Sequence, residues 1–417
     1  MSEAAEKPRL RQLEAFPIDA GGGRVVCLRD PMNISTRVIG VPPAAGFILS
    51  LLNGERTPQD IQVEFLRRTG QILPTPDLEQ LLSDLDESLM LDSRRFRDTL
   101  AELEREWTAS PLRTPTHLGG GYEADPDRLD CALSGYFTHP DGPGPSPTCP
   151  TPRSGLRAII APHIDYDRGG PTYAWAYREI ARDAADVYVV LGTSHTPLST
   201  VFSVTRKHFA TPFGPVHTDT AFIDLLEEKA GRCLENDFLV HRSEHSIELQ
   251  TVWLRHLLGE RARIVPILCG SLGGQVLDGT SPAQEAEIAG FLQALRETID
   301  ACGKRVVLIA AADLAHVGTG FGDDTPPDAS AMETVGKADR HNLELAVNRD
   351  AEGFFRAIQG NGDCHRICGL APIYAMLAVL RAERGKLLAY KQCVDPKGFR
   401  TVTIASAAYY GPETALA

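Results

Sequence analysis

Apolar residues follow two different regimes along this chain. After Gly155 they come in short unbroken runs: LRAIIA (Leu156 to Ala161), DVYVVLG (Asp186 to Gly192), RIVPILCG (Arg263 to Gly270) and RVVLIAAAD (Arg305 to Asp313). Each run has strand length, is partly β-branched and is separated from the next by a helix-length stretch. Strands covered on both faces need such runs, whereas a half-exposed strand would alternate, so these predict an α/β fold with a central, mostly parallel sheet flanked by helices. LLAYKQC (Leu387 to Cys393) and FRTVTIASAAYY (Phe399 to Tyr410) flank the turn-forming VDPKG and predict an antiparallel hairpin at the C-terminal edge of that sheet.

The first hundred residues read differently. RVVCLRD (Arg24 to Asp30) and TRVIGV (Thr36 to Val41) predict short strands, and AAGFILSLLNG (Ala44 to Gly54) a helix stopped at Asn-Gly. In RTPQDIQVEFLRRTG, Thr57 precedes Pro58 as an N-cap, with Asp60 at the capping-box spacing and Gly70 as the stop. Leu78, Leu81, Leu82, Leu85 and Leu89 recur at three and four residues, the mark of one buried helix face. Two strands and three short helices make a small winged-helix-like α+β domain over residues 1–95. Residues 96–153 read as a linker, ending in the Pro- and Gly-rich THPDGPGPSPTCPTP. Within it, 118–137 contains a short amphipathic helix expected to pack on the second domain, residues 154–417.

Composition narrows the function. A net charge of −13, from 42 basic and 55 acidic residues, leaves no field to draw in a phosphate backbone, which argues against nucleic acid as a partner. With no apolar stretch of membrane-spanning length and a polar N-terminus, a cytoplasmic protein with no membrane partner is expected. Nine cysteines scattered from Cys27 to Cys393 fit reduced thiols better than a disulfide framework. Most of them, Cys149 included, read as buried small residues or bystanders.

The chemistry gathers at strand ends. His163 follows the first run by two residues, His195 follows the second by three, and Asp313 with His316 closes a later one. Ligands of open α/β sheets bind beyond the carboxyl ends of the strands, so the topology itself brings these groups together. Two imidazoles and a thiolate suit a borderline or soft transition metal with a coordination position left open, and His163, His195 and Cys368 are the candidate set. Cys368 precedes the apolar run APIYAMLAVL at an expected helix start, a place that favours thiolate. Asp313 and His316 lie three apart on what reads as a first helical turn, positioned to accept and donate a proton or to orient the ligands.

Other residues compete. Cys364 and Cys368 have a redox-pair spacing, with His365 between them. His241, Glu244 and His245 spell H-x-x-E-H, the inverted zinc-peptidase pattern, which would make the protein a zinc hydrolase; otherwise Glu244 and His245 approach the pocket rim. Tyr166 and His217 are further pocket candidates. No glycine spacing matches a phosphate loop.

Two resemblances sharpen this. GERTPQDIQVEFLRRTG and LDESLMLDS resemble the PqqD-like family, which implies a peptide- or partner-docking module, the plainer alternative being a structural cap. APHIDYDRGG, VVLGTSH, FGPVHTD, EHSIELQ, AAADLAH and ICGLAPI, in that order, resemble the Memo family over roughly Gly121 to Tyr410. That family is similar in fold to class III extradiol dioxygenases, which use non-haem Fe(II). The resemblance implies ligands at His163, His195 and Cys368 with Asp313 and His316 alongside, Fe(II) as the metal with copper or zinc as alternatives, and a radical-SAM enzyme and an AMMECR1-type protein as partners. In the dioxygenases the third ligand is a carboxylate, and Cys368 departs from that. The expected function is a metal-dependent oxidoreductase acting on a small or peptide-borne substrate. The alternative is a non-catalytic binding module.

Overall fold

The computed structural model describes residues 6–20, 23–43, 45–145, 155–395 and 398–412. The chain divides into two compact units, Met1–Ser110 and Pro111–Ala417. Cys149 with the rest of the later half of the Pro- and Gly-rich stretch (146–152), and Pro396 and Lys397 of the expected hairpin turn, lie outside the described residues.

In the first unit, β1 (Glu14–Ala20), β2 (Gly23–Arg29) and β3 (Ile39–Val41) form an antiparallel sheet in that order. The turn after β2 is set by buried Asp30, whose carboxylate accepts from the backbone N–H groups of Met32, Ile34 and Ser35 and pairs with Arg11 at 3.1 Å. Helices α1 (Ala45–Leu51), α2 (Pro58–Thr69) and α3 (Thr75–Glu87) follow. Thr57 and Asp60 exchange the two capping hydrogen bonds, at 3.2 and 2.9 Å, and Gly70 ends α2 in the left-handed conformation. Leu78 and Leu85 are buried with Ile61 and Phe65, while Leu89 lies past the end of α3.

The stretch read as linker opens instead with α4 (Arg94–Ala109), a 16-residue helix. Ser93 caps it, its hydroxyl accepting from Phe96 N at 3.2 Å. Its apolar positions, Phe96, Leu100, Leu103 and Trp107, repeat at four and three residues, yet none of its residues is fully buried.

The second unit begins with β4 (Leu112–Arg113) and α5 (Pro126–Thr138), then β5 (Leu156–Ala161), α6 (Tyr166–Arg182), β6 (Val187–Thr193), β7 (Phe202–Val204), β8 (His208–Phe209) and β9 (His217–Thr218). Helices α7 (Thr220–Ala230), α8 (Phe238–Ser243) and α9 (Ser246–Leu258) lead to β10 (Arg263–Cys269), α10 (Gly273–Asp278), α11 (Ala286–Ala301), β11 (Val306–Ala311) and β12 (Asp313–Val317). Then come α12 (Ala329–Val347), α13 (Ala351–Gln359), α14 (Leu370–Val379), β13 (Arg384–Val394) and β14 (Thr401–Tyr410). The central sheet is mixed, in the order β12-β14-β5-β11-β6-β10-β7, with β13 also paired to β14 and β9 to β10. Its parallel heart, β5-β11-β6-β10, comprises the four runs singled out from sequence, and β6 and β11 are buried throughout.

The expected hairpin of β13 and β14 forms with β13 outermost, and β14 also pairs antiparallel with β5 and β12. All ten of its residues are buried, as an interior position demands, while half-exposed β13 takes the outside. One other expectation needs correction: Asp313 and His316 sit on strand β12, not on a helical turn. In a regular strand a three-residue spacing turns two side chains to opposite faces, but the pairing of β12 with β14 is irregular between these two residues.

Candidate metal centre

Three segments that leave β5, β6 and the loop before α14 place His163, His195 and Cys368 so that one ligand atom from each lies within 4.8 Å of the others. Each ring is aimed by its far nitrogen. Nδ1 of His163 is 2.9 Å from the carbonyl oxygen of Ala311 at the end of β11; a carbonyl only accepts, so Nδ1 keeps the proton and Nε2 turns to the Cys368 sulfur, 3.4 Å away. Nδ1 of His195 lies 3.0 and 3.1 Å from the two Glu244 oxygens. Acceptors behind metal-binding imidazoles commonly fix tautomer and ring direction in this way. A tetrahedral ion with a nitrogen at ~2.1 Å and a sulfur at ~2.3 Å would separate them by about 3.6 Å, so the observed 3.4 Å fits such an ion with little adjustment.

Cys368 is held by the backbone next to it. Gly369 N donates to Asp313 O at 3.0 Å, and a side chain at Gly369 would bring a Cβ within 2.4 Å of that oxygen, so only glycine lets the loop approach β12 this closely. Burial would push the Cys368 thiol up, but the facing His163 and His316 bring it down to about 5. Burial likewise disfavours a charged His163, yet Asp313 and the Cys368 sulfur raise it to about 9. His195 is raised well above its usual value, Glu244 outweighing burial. The metal-free set is therefore a thiolate facing protonated imidazoles, and an ion would take the place of those protons.

Glu244 anchors more than His195. Its carboxylate accepts from the backbone N–H groups of His195 at 2.9 Å, His245 at 2.7 Å and Ser246 at 3.0 Å, and the adjoining imidazoles of His195 and His245 hold it well below the usual carboxylate range despite burial. Four imidazoles gather around it: His195 stacks on His245 at 4.9 Å, His245 on His117 at 4.5 Å, and His163 meets His195 edge-on at 5.1 Å. Burial and the neighbouring His245 lower His117 to about 4, so its ring is neutral at physiological pH.

Two cavities meet at the centre, each of about 410 Å³. Asp313, His316, His163, His245 and His117 line one; Cys368, Thr193, Leu272 and Ile367 line the other; His195 belongs to both. A family model for the Memo-like protein matches residues 113–410, which span both cavities and every candidate ligand. The chain belongs to the Memo-like family. It is 28% identical to a MEMO1 family protein of Aquifex aeolicus over 407 residues, 97% of this chain and all of that one. MEMO1 family proteins of Ignicoccus hospitalis and Methanopyrus kandleri are 31% and 29% identical, covering 72% and 71% of this chain and 99% and 97% of their own.

In this Memo-like chain Asp313 and His316 reach the first cavity together. Asp313 Oδ1 accepts from His163 N at 2.8 Å, and Oδ2 is 3.8 Å from His163 Nε2. Nδ1 of His316 is 3.0 Å from Leu314 O. Other expectations are not met. Tyr166 is buried in an aromatic cluster, tilted against Tyr122 and edge-on to Tyr173 and Trp253, its hydroxyl donating to Leu249 O. His217 pairs with Arg263 at the start of β10, the end of the sheet opposite the ligands. The H-x-x-E-H pattern does not form one helical face: α8 ends at Ser243, Glu244 is extended, and Nε2 of buried His241 is 3.1 Å from the Ser203 hydroxyl. His245 joins His195 and Glu244 instead. Cys364 is exposed and belongs to neither ligand group, and His365 contributes its carbonyl oxygen to His316 N.

The linker reading missed a wall of the site. Buried Arg113 pairs with buried Glu248 at 2.7 Å, and Glu248 also accepts from the backbone N–H groups of Thr116 and His117, both at 2.9 Å, and from the Tyr122 hydroxyl at 2.8 Å. One carboxylate thus folds residues 113–122 against α9 and delivers His117. The spacing of Glu244 and Glu248 in EHSIELQ was the available signal.

Proposed function

We propose that this chain is a metal-dependent oxidoreductase, with His163, His195 and Cys368 holding Fe(II) and a small or peptide-borne substrate entering the cavity lined by Asp313 and His316. The observation that carries the reading is the pair of committed Nδ1 atoms, on Ala311 O and on Glu244, which leaves two Nε2 lone pairs for the site of one thiolate. When bound, such an ion would supply Lewis-acid and one-electron chemistry at its open position. The chain's own groups do the rest. Asp313, tied to the His163 backbone, keeps one oxygen near the ligand set as a proton acceptor. His316, with Nδ1 turned to Leu314 O, keeps Nε2 to hold or deliver a proton in the cavity.

Metal analysis and an absorption spectrum after anaerobic purification test this. About one iron per chain is expected, with thiolate charge-transfer bands that vanish in Cys368→Ser. A spectroscopically silent zinc ion would leave the ligands in place and remove the redox chemistry. Metal content unchanged by His163→Ala and Cys368→Ser would overturn the ligand assignment.

A further inference from the structure

The second cavity has no part in the proton-handling scheme, and its chemistry differs from that of the first. Its walls are mainly apolar, from Leu272 and Val276 at α10 and Ile367 and Ala371 at α14, and two of the three candidate ligands, His195 and Cys368, also line it. A volume of about 410 Å³ lies within the range of small-molecule sites, roughly 300–1,000 Å³. At its rim Leu277 is 88% exposed, a large apolar side chain in water beside a cleft. Asp363 and Arg366, which line the same cleft, hold φ of 48° and 53°, a left-handed backbone that non-glycine residues adopt at a cost and that gathers at ligand clamps.

We infer that this cleft is an apolar subsite of the same centre: it receives an unbranched or flat apolar arm of a substrate whose polar head sits at His163, His195 and Cys368. The inference rests on the metal-site reading for the head, and on the cleft alone for the arm. His195 borders both cavities, so a head bound there has the imidazole-lined cavity on one side and the apolar cleft on the other.

Alkyl hydroxamates of increasing length, which pair a metal-chelating head with an apolar tail, test the two parts separately. Acetohydroxamate, hexanoyl hydroxamate and octanoyl hydroxamate are titrated against the metal-loaded protein and against the same protein stripped by chelation. Burying a methylene is worth roughly fourfold in affinity, so at least about tenfold tighter binding is expected from the acetyl to the hexanoyl compound. Val276→Asp should abolish that gain while leaving acetohydroxamate affinity and metal content unchanged, and rim Leu277→Asp, which disturbs no buried packing, should reduce it. Octanoyl hydroxamate should still bind the stripped protein detectably. No gain with chain length in either form, or a gain untouched by both substitutions, overturns the subsite. Acetohydroxamate binding that ignores the metal counts against the metal reading and leaves the subsite standing.

Discussion

Glu244→Gln is the most informative single change. The carboxylate is buried and accepts from three backbone N–H groups and Nδ1 of His195, at 2.7 to 3.0 Å, and Nδ1 of His245 lies 3.1 Å from Oε1. A glutamine fits the space but has one acceptor oxygen. Its amide N–H₂ must face either the His195 donors or those of His245 and Ser246, leaving two buried donors unmatched. Stranded buried donors cost ~1–3 kcal/mol each, and losing one partner of a buried charged group costs ~3–5 kcal/mol, so a loss of about 3–5 kcal/mol in stability follows. Metal affinity should fall about 10- to 100-fold, because His195 loses the anion that orients its ring. The assay is competition between the protein and a chromophoric chelator at fixed pH, beside thermal unfolding of the metal-free protein. Affinity within twofold of the parent in a folded Glu244→Gln protein would refute the orienting role.

Three more outcomes follow from the same geometry. Metal affinity should rise with pH from about 6 to about 8, by up to about tenfold per unit for each proton displaced, because His163 keeps its proton up to about 9 while Cys368, at about 5, is already ionised; affinity flat over that range would contradict the thiolate–imidazolium pair. His241→Ala should leave metal content per folded chain unchanged, since that ring is turned to Ser203, and loss of the ion would revive the H-x-x-E-H site. Arg113→Ala should strand the Glu248 charge, cost about 3–5 kcal/mol, and speed amide exchange through residues 114–122, as read by mass spectrometry; unchanged protection there would show the loop is held by other contacts.

How much was legible in the chain depended on whether the signal was local. The four apolar runs identified the parallel strands because burial on both faces is written into each run, and the strand-end histidines and Cys368 followed from topology. His117 was not legible. Its loop is rich in glycine and polar residues, and its fold leans on Glu248, 131 positions later, which accepts from the His117 N–H. α4 was passed over because its apolar stripe is thin and half-exposed amid charges. The interior place of β14 is a matter of pairing, and an apolar run does not name its neighbours. His217 and Tyr166 looked like pocket residues by type and proximity in sequence, but the register of β9 and the packing of Trp253 turn them elsewhere.

The position of β14 has a consequence for when the centre can exist. This strand, the last in the sheet, pairs with β5, the first of the central strands, and with β12, which carries Asp313 and His316. Cys368 is 205 residues beyond the histidine it faces. A growing polypeptide on the ribosome would therefore expose His163 and His195 long before their thiolate partner or the strand that seats β12 has emerged. Capture of the proposed ion would in this sense be a post-translational event, open to the finished chain and closed to its nascent fragments.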